Sequence, residues 1–341
     1  MSLPPSEIPQ GAIRFNTDSQ KLEFYAQGEW WVMASDTPNL GRGADTTAGA
    51  RGLFGGGTTP GPASTNQIEY INLASVGNSV DFGTLSYANN DKMSCASSTR
   101  GIFTAAQNSP VYDNVIDYVT ISSTGNAQDF ADLSEKRLAG AGCGNQTRGL
   151  FMGGDPSISP FNSDTIDYIT IASQGVDAQD FGNLTAARRQ TAACSSPTRG
   201  ICFGGYNPTN LIELVTISTR GDAQEFGDLT VSSYGGSGAS NAVRGLYAAG
   251  GPAHQQNIDY ITIASRGNSV RFGDLDSTGT TYTGGCSSST RAVFVGGAHP
   301  VSFGNVIEYV NIMTEGNAVK FGEYQHPIND PVGCSNAHGG L

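Results

Sequence analysis

A repeat of about 48 residues runs through most of the chain, and it limits the possible folds more than any other feature. Its first marker is an arginine, usually followed by glycine and an apolar residue, and the five steps from Arg51 to Arg291 average 48 residues. The copies are Arg51, Arg100, Arg148, Arg199, Arg244 and Arg291. Self-similarity at such a period is typical of architectures in which equivalent units pack against one another.

Each repeat is expected to form four short β-strands. Residues 190–229 contain the runs QTAACSS, RGICFGG, LIELVTIS and DAQEFGDL, separated by residues that favour turns. The third run is apolar on both faces, as a sheet needs when it lies between two other sheets. Many glycines, 46 of 341, and only 14% charged residues also favour a turn-rich all-β chain. The pattern predicts the blades of a β-propeller.

A di-glycine ends the second strand of most repeats, and aromatic residues occur in the third and fourth strands. The pairs are Gly56-Gly57, Gly153-Gly154, Gly204-Gly205 and Gly296-Gly297. Over residues 44–341 this pattern resembles the kelch repeat, with phenylalanine where kelch usually has tryptophan. The resemblance implies a kelch-like β-propeller of four-stranded blades and implies little about activity.

The number of blades depends on how the two ends of the chain are used. The first-strand element occurs seven times if residues 333–340 are counted, whereas the other three elements occur six times. Residues 1–43 contain three further runs that are read as strands, IRFNT, KLEFYA and EWWVM. We therefore favour seven blades, in which residues 332–340 and the three N-terminal strands form the closing blade and leave no exposed edge. Six blades with a separate N-terminal hairpin module is the alternative.

The N-terminal segment also carries a motif of its own, PQGAIRFNTDSQKLEFYAQGEWW. Between Gly11 and Trp31 it resembles a short module of virion proteins of tailed bacteriophages, especially tail fibres and related structural proteins. The blade repeat is similar to kelch-like arrays in phage structural proteins. The resemblance implies a virion protein, made in the host cytoplasm, that contacts other tail proteins and is oligomeric in the particle.

The repeated cysteines and arginines are interpreted as structural. Cys95, Cys143, Cys194, Cys286 and Cys334 share one position in the repeat, so we expect reduced, partly buried thiols in the inner strands rather than disulfides or a metal ring. The six repeat arginines would form a circle at one level of the ring. Such a circle can hold an anion, but its use in every repeat favours pairing with carboxylates or carbonyls at blade junctions.

Several classes of function are disfavoured by composition and motifs. The net charge of −12 argues against nucleic-acid binding, and neither a signal peptide nor an apolar run of membrane-spanning length is present. The sequence has no HExxH, GxSxG, P-loop or CxxC motif, and its four histidines lack metal-site spacing. Carboxylates that recur in every repeat indicate a structural role rather than a catalytic one. We expect no enzymatic activity, no metal and no cofactor.

Binding is expected where the blades differ. The segment between the di-glycine and the third strand varies in length and chemistry, and strand alternation places it on the same face as the segment that leads to the next first strand. Candidate contacts there are Tyr112, Phe161, Tyr206, His254, His299 and Phe303. Covering the blade ends is the alternative role of each.

Together these features favour a non-enzymatic structural or recognition protein of a tailed phage, associated with the tail or tail fibre. Its partners would be other virion proteins and a glycan or protein of the host surface. A capsid decoration protein, a cytosolic kelch-type interaction scaffold and an enzyme acting on polysaccharide remain as alternatives.

Overall fold

The computed structural model describes residues 9, 11–16, 21–32, 50–61, 63–88, 90–91, 93–104, 113–156, 159–207, 209–276, 280–299 and 302–341. All the regular secondary structure in these ranges is β-strand, and no helix able to span a membrane occurs in them. The chain divides into two compact units, Met1–Ala44 and Asp45–Leu341.

The first unit contains one antiparallel sheet of three strands joined in sequence order. The strands are β1 Ile13–Asn16, β2 Lys21–Ala26 and β3 Glu29–Val32. Gln27 and Gly28 both have positive φ, 54° and 85°, as the tightest hairpin turn requires between β2 and β3. The guanidinium group of Arg14 stacks on Trp30 at 4.1 Å and pairs with Glu23 at 2.8 Å. The strands of the N-terminal motif therefore form a sheet of their own.

The second unit is a β-propeller, and five of its blades are built from four consecutive strands. The unit begins with β4 Arg51–Gly55, β5 Thr58–Thr59, β6 Ala63–Ser64, β7 Gln67–Asn72 and β8 Val80–Thr84. Blade 2 consists of β9 Ser94–Ala96, β10 Arg100–Thr104, β11 Val115–Thr120 and β12 Gln128–Asp132. Blade 3 consists of β13 Ala141–Gly144, β14 Arg148–Gly154, β15 Ser163–Thr170 and β16 Gln179–Arg188. Blade 4 consists of β17 Ala192–Ser195, β18 Arg199–Phe203, β19 Thr209–Thr216 and β20 Gln224–Ser233. Blade 5 consists of β21 Ser237–Ser240, β22 Arg244–Ala248, β23 Asn257–Thr262 and β24 Val270–Asp274. Blade 6 consists of β25 Gly284–Ser287, β26 Arg291–Val295, β27 Val306–Asn311 and β28 Val319–Glu323.

Blade 1 joins the C-terminal strand to the first repeat. The last strand, β29 Val332–Ser335, pairs with β4 and is followed across the sheet by β7 and β8, while β5 and β6 form a separate two-stranded ribbon. Cys334 lies opposite Leu53, as Cys95 lies opposite Ile102 in blade 2. The ring therefore has six blades, which matches the alternative.

The favoured count of seven blades is not confirmed, because β29 already supplies the inner strand of the first repeat. The position five residues before Arg51, where four of the other repeats have cysteine, is Thr46, which lies outside the described residues. Among the described residues, β1, β2 and β3 pair with one another, and the sheet that contains β29 consists of β29, β4, β7 and β8.

The repeat arginine at the start of each second strand joins its blade to the next one. Arg100 Nη1 donates a 2.8 Å hydrogen bond to the carbonyl oxygen of Ile171 in blade 3, and its guanidinium group stacks on Tyr118 of its own blade. The other five donate in the same way, from Arg51 to Ile121, Arg148 to Ile217, Arg199 to Ile263, Arg244 to Ile312 and Arg291 to Leu73. The last bond runs from blade 6 to blade 1, so the arginines make a complete circle of contacts between blades.

A buried carboxylate in each third strand makes a second set of contacts between blades. Asp117 accepts a 2.8 Å hydrogen bond from the backbone N–H of Ser86, which follows the fourth strand of blade 1. Equivalent bonds join Ser134 to Asp167, Thr185 to Glu213, Thr230 to Asp259, Asp276 to Glu308 and Gln325 to Glu69. The carboxylates repeated along the sequence are thus part of the blade junctions.

The inner-strand cysteines fill the space above a glycine of the next blade. A Cβ added to Gly245 would lie 2.6 Å from the sulfur of Cys194, much closer than atoms pack. Blade 5 has Ala239 in place of the cysteine, and blade 6 has Ala292 in place of the glycine, both in one buried cluster. All six cysteines are buried free thiols, and burial raises the pKa of Cys194 to about 12.

Candidate functional site

Two sets of connecting segments lie on one face of the propeller, which we call the loop face. One set joins second to third strands, and the other joins each fourth strand to the next inner strand. Isolated bridges pair the two sets at Thr58 with Asn329, Leu138 with Asp155, Tyr234 with Gly251 and Thr281 with Ala298. Strand alternation predicts this common face, and the blades position its side chains.

The inner strands surround an axial channel that narrows between two small cavities. Small side chains line it because six strands converge there, at Ser94, Gly142, Ala193, Gly238, Gly285 and Gly333. The cavity at the loop face measures about 100 Å³ and the one at the opposite end about 50 Å³. At that opposite end His338 lies 2.9 Å from the carbonyl oxygen of Ala96, and the buried Gly339 and Gly340 pack against inner strands of other blades. The C-terminal residues therefore cross that end of the ring.

Six residues, one from each blade junction, form a ring around the loop-face cavity, which we call the mouth ring. Its members are Asp91, Ala139, Gln190, Gly235, Tyr282 and Asp330. All six have φ between 53° and 61°, a conformation that is uncommon for residues other than glycine. This conformation lets the backbone N–H of each member after Asp91 donate a hydrogen bond to the carbonyl oxygen of the preceding member, at 2.5 to 2.9 Å. The first and last members of the ring are joined differently, because the backbone N–H of Asp91 donates a 2.7 Å hydrogen bond to the side-chain carboxylate of Asp330.

Two buried polar atoms at the mouth have no hydrogen-bond partner within the protein, the Oε1 atom of Gln190 and the Oγ1 atom of Thr191. Gln190 uses its other side-chain atom to donate a 3.0 Å hydrogen bond to the hydroxyl oxygen of Tyr282. Burial, with Tyr234 and the two acidic members of the ring nearby, raises the pKa of Tyr282 to about 12. Burial also raises the pKa of Asp91 above its usual value. The cavity wall therefore offers a neutral phenol, an amide oxygen and an unpaired hydroxyl group.

A line of three tyrosines runs from the mouth toward the rim of the loop face, and we call it the tyrosine stripe. Tyr282 and Tyr234 have ring centroids 6.5 Å apart, and Tyr234 and Tyr206 are 5.5 Å apart. The guanidinium group of Arg189 lies 4.5 Å from the ring centroid of Tyr206 and pairs with Asp155 at 2.5 Å. The stripe spans the loops of blades 4 to 6, so it breaks the symmetry of the ring.

The stripe depends on a glycine in the mouth ring. A Cβ added to Gly235 would lie 2.9 Å from the ring of Tyr282, so that ring lies across the space that a side chain would occupy. Tyr234 in turn packs against Gly251 of the neighbouring loop, where an added Cβ would lie 2.5 Å from its ring. Small residues next to large ones therefore shape this part of the face.

The structure brings only one of the residues predicted from the sequence into this site. Tyr206 belongs to the stripe, whereas Phe161 is 54% exposed elsewhere on the loops. The Nδ1–H group of His254 donates a 3.0 Å hydrogen bond to the carbonyl oxygen of Ala298, which precedes His299 in the chain and forms a bridge with the half-buried Phe303. Tyr112 lies outside the described residues.

The sequence did not point to the residues that carry the chemistry of this site, among them Arg189, Gln190, Thr191, Tyr234 and Tyr282. These five lie in the segments between the fourth strand and the next inner strand, where no candidate was predicted. A comparison of the position three or four before each repeat cysteine would have shown that only some blades carry tyrosine, glutamine or threonine there.

The residues that the structure describes hold no cluster of three or more histidine, cysteine, aspartate or glutamate side chains that could bind a metal ion. No model of a known protein family and no curated protein matches the sequence.

Proposed function

We propose that this chain is a non-enzymatic recognition protein of a tailed phage virion, in which the six-bladed ring presents its loop face to the host surface. The observation that carries the proposal is the contrast between the blade junctions, which repeat, and the loop face, which does not. Six junctions repeat the same arginine and carboxylate contacts, while the loop face carries the mouth cavity at its centre and the tyrosine stripe on blades 4 to 6 alone. Varied loops on a rigid scaffold are a common arrangement for binding.

The engagement of the repeated acidic residues supports a role without catalysis. Glu213 pairs with the buried Arg188, and Asp167 pairs with the buried Arg137 at 3.0 Å. Both also accept hydrogen bonds from the preceding blade. Carboxylates held in this way stabilise the packing of blades and are not aimed at a substrate.

The virion setting is supported by the N-terminal unit. Its motif from Gly11 to Trp31 resembles a module of phage structural proteins, and its three strands form a sheet without a partner strand from the ring. We propose that this unit contacts other tail proteins.

Mass spectrometry of purified particles tests the proposal. In a phage that encodes this chain, we expect its peptides in particles purified by density gradient, with a copy number that matches a tail or fibre component. A copy number matching the capsid subunits would instead favour the capsid decoration protein. Absence from the particles would overturn the proposal.

A further inference from the structure

We propose that the mouth ring and the tyrosine stripe form a binding site for an uncharged carbohydrate. The inference rests on the proposed function, because it names the class of host molecule that the loop face would recognise. It is carried by three observations, namely the unpaired polar atoms in the cavity wall, the line of aromatic rings, and the charges around them.

The unpaired hydroxyl of Thr191 points to a group supplied from outside the protein. Thr283 is its equivalent in blade 6, and the Thr283 hydroxyl lies 2.7 Å from that of Ser237 in the preceding blade. Ala141 occupies the place of Ser237 in blade 3, so Thr191 lacks that partner although it is only 7% exposed. Buried polar groups are nearly always hydrogen-bonded, and this one lines a cavity open at the loop face.

The chemistry of the cavity wall suits hydroxyl groups of a ligand. The Gln190 amide oxygen can accept a hydrogen bond, and the Thr191 hydroxyl can both donate and accept. The Tyr282 hydroxyl accepts from Gln190 and retains its own proton to donate. Sugar hydroxyls donate and accept in the same way, whereas an apolar ligand would leave these atoms unpaired.

The tyrosine stripe extends the site beyond the cavity. Sugar rings present apolar C–H surfaces that pack on aromatic side chains, and tyrosine adds a hydroxyl at its edge. Tyr206 is 39% exposed, and Tyr234 and Tyr282 are partly exposed, so the stripe keeps accessible aromatic surface. Two successive ring spacings, 5.5 and 6.5 Å, suit a short oligosaccharide better than a single sugar.

The charges disfavour an acidic glycan. Asp91 and Asp330 belong to the mouth ring, and Arg189, the cation that lies on the stripe, is paired with Asp155. The whole chain carries a net charge of −12. Uronic or sialic acids and phosphates would approach carboxylates at the cavity and a negative protein as a whole.

The test uses the full-length protein and four trisaccharides of equal length, titrated by calorimetry. Maltotriose and mannotriose are neutral, a galacturonic acid trisaccharide is anionic, and a glucosamine trisaccharide is cationic. We expect at least one neutral trisaccharide to bind and the anionic one not to bind. We expect Thr191→Val to weaken that binding at least fivefold without lowering the melting temperature, because the hydroxyl has no internal partner, and Tyr206→Ala to weaken it by a similar factor.

Tyr87→Ala is the matched control, because Tyr87 is an exposed tyrosine, 54% accessible, in a loop-face segment of blade 1 that does not contribute to the stripe. It should leave binding unchanged. The proposal is overturned if neither neutral trisaccharide binds, if the glucosamine trisaccharide alone binds, or if Thr191→Val and Tyr206→Ala bind as the control does. A positive titration with no protein in the particles would refute the virion role alone, and the reverse result would refute the carbohydrate site alone.

Discussion

The pairing of cysteine with glycine across neighbouring blades predicts a large coupling between two buried positions. Gly245 lies within a regular strand and does not need glycine for its backbone conformation, because it lacks a positive φ. An added Cβ would meet the sulfur of Cys194 at 2.6 Å, about 1 Å inside the usual contact distance. We therefore attribute this glycine to the size of the neighbouring sulfur.

The magnitudes follow from the two single changes. Gly245→Ala overpacks the junction and should cost about 1–3 kcal/mol of unfolding free energy. Cys194→Ala removes one buried heavy atom and should cost about 1 kcal/mol. In the double variant the new methyl group enters the space that the sulfur leaves, so we expect a cost of about 1 kcal/mol or less and a coupling of about 2 kcal/mol.

Guanidinium unfolding of the wild type, both single variants and the double variant measures this coupling, provided that the slopes agree. The chain contains its own reference, because Ala239 and Ala292 already form an alanine pair at the next junction. There Ala239→Cys alone should destabilise, and Ala292→Gly should relieve it. Additive effects at both junctions, with a coupling below about 0.5 kcal/mol, would refute the size argument.

Three further expectations follow from burial, ring closure and charge. The six thiols should react with an aromatic disulfide reagent only after unfolding, and labelling of the native protein would contradict their burial. Removing residues 332–341 should lower the melting temperature by about 5 °C or more because β4 loses its partner strand, whereas removing residues 1–43 should leave the ring transition unchanged; equal losses would contradict six blades. Burial raises the pKa of Glu69 above its usual 4.5, so its contribution to stability is complete below pH 4.5 and is lost as the pH rises through the folded-state pKa. Glu69→Gln should therefore gain stability relative to wild type as the pH rises above 4.5 in urea unfolding, and a difference that stays constant with pH would contradict this.

The repeat predicted the fold because its signals are local. Strand order within a blade, turn glycines and the position of each arginine can be read from 48 residues at a time. The blade count was harder, since it depends on which strand β29 joins. Cys334 pairs opposite Leu53, a contact between distant parts of the sequence, whereas the position five residues before Arg51 holds Thr46.

The candidate site was only partly predictable for a related reason. Tyr206 stood out as an aromatic residue in a variable loop. Thr191 and Gln190 did not, because their importance comes from what the preceding blade lacks. Only the register of neighbouring blades shows that Ala141 leaves the Thr191 hydroxyl unpaired.

Residues that depart from the repeat are of two kinds: some are compensated by a second change in the neighbouring blade, and others are not. Ala239 and Ala292 depart together, so one change compensates the other and the junction stays filled. Gly235 and Tyr282 are also matched in size, but their effect is to place an aromatic ring beside an open cavity. Thr191 departs without compensation, and packing alone would favour an apolar residue there. Because an uncompensated polar residue costs stability in the free protein, we propose that a ligand at the loop face supplies the hydrogen bond that Thr191 lacks.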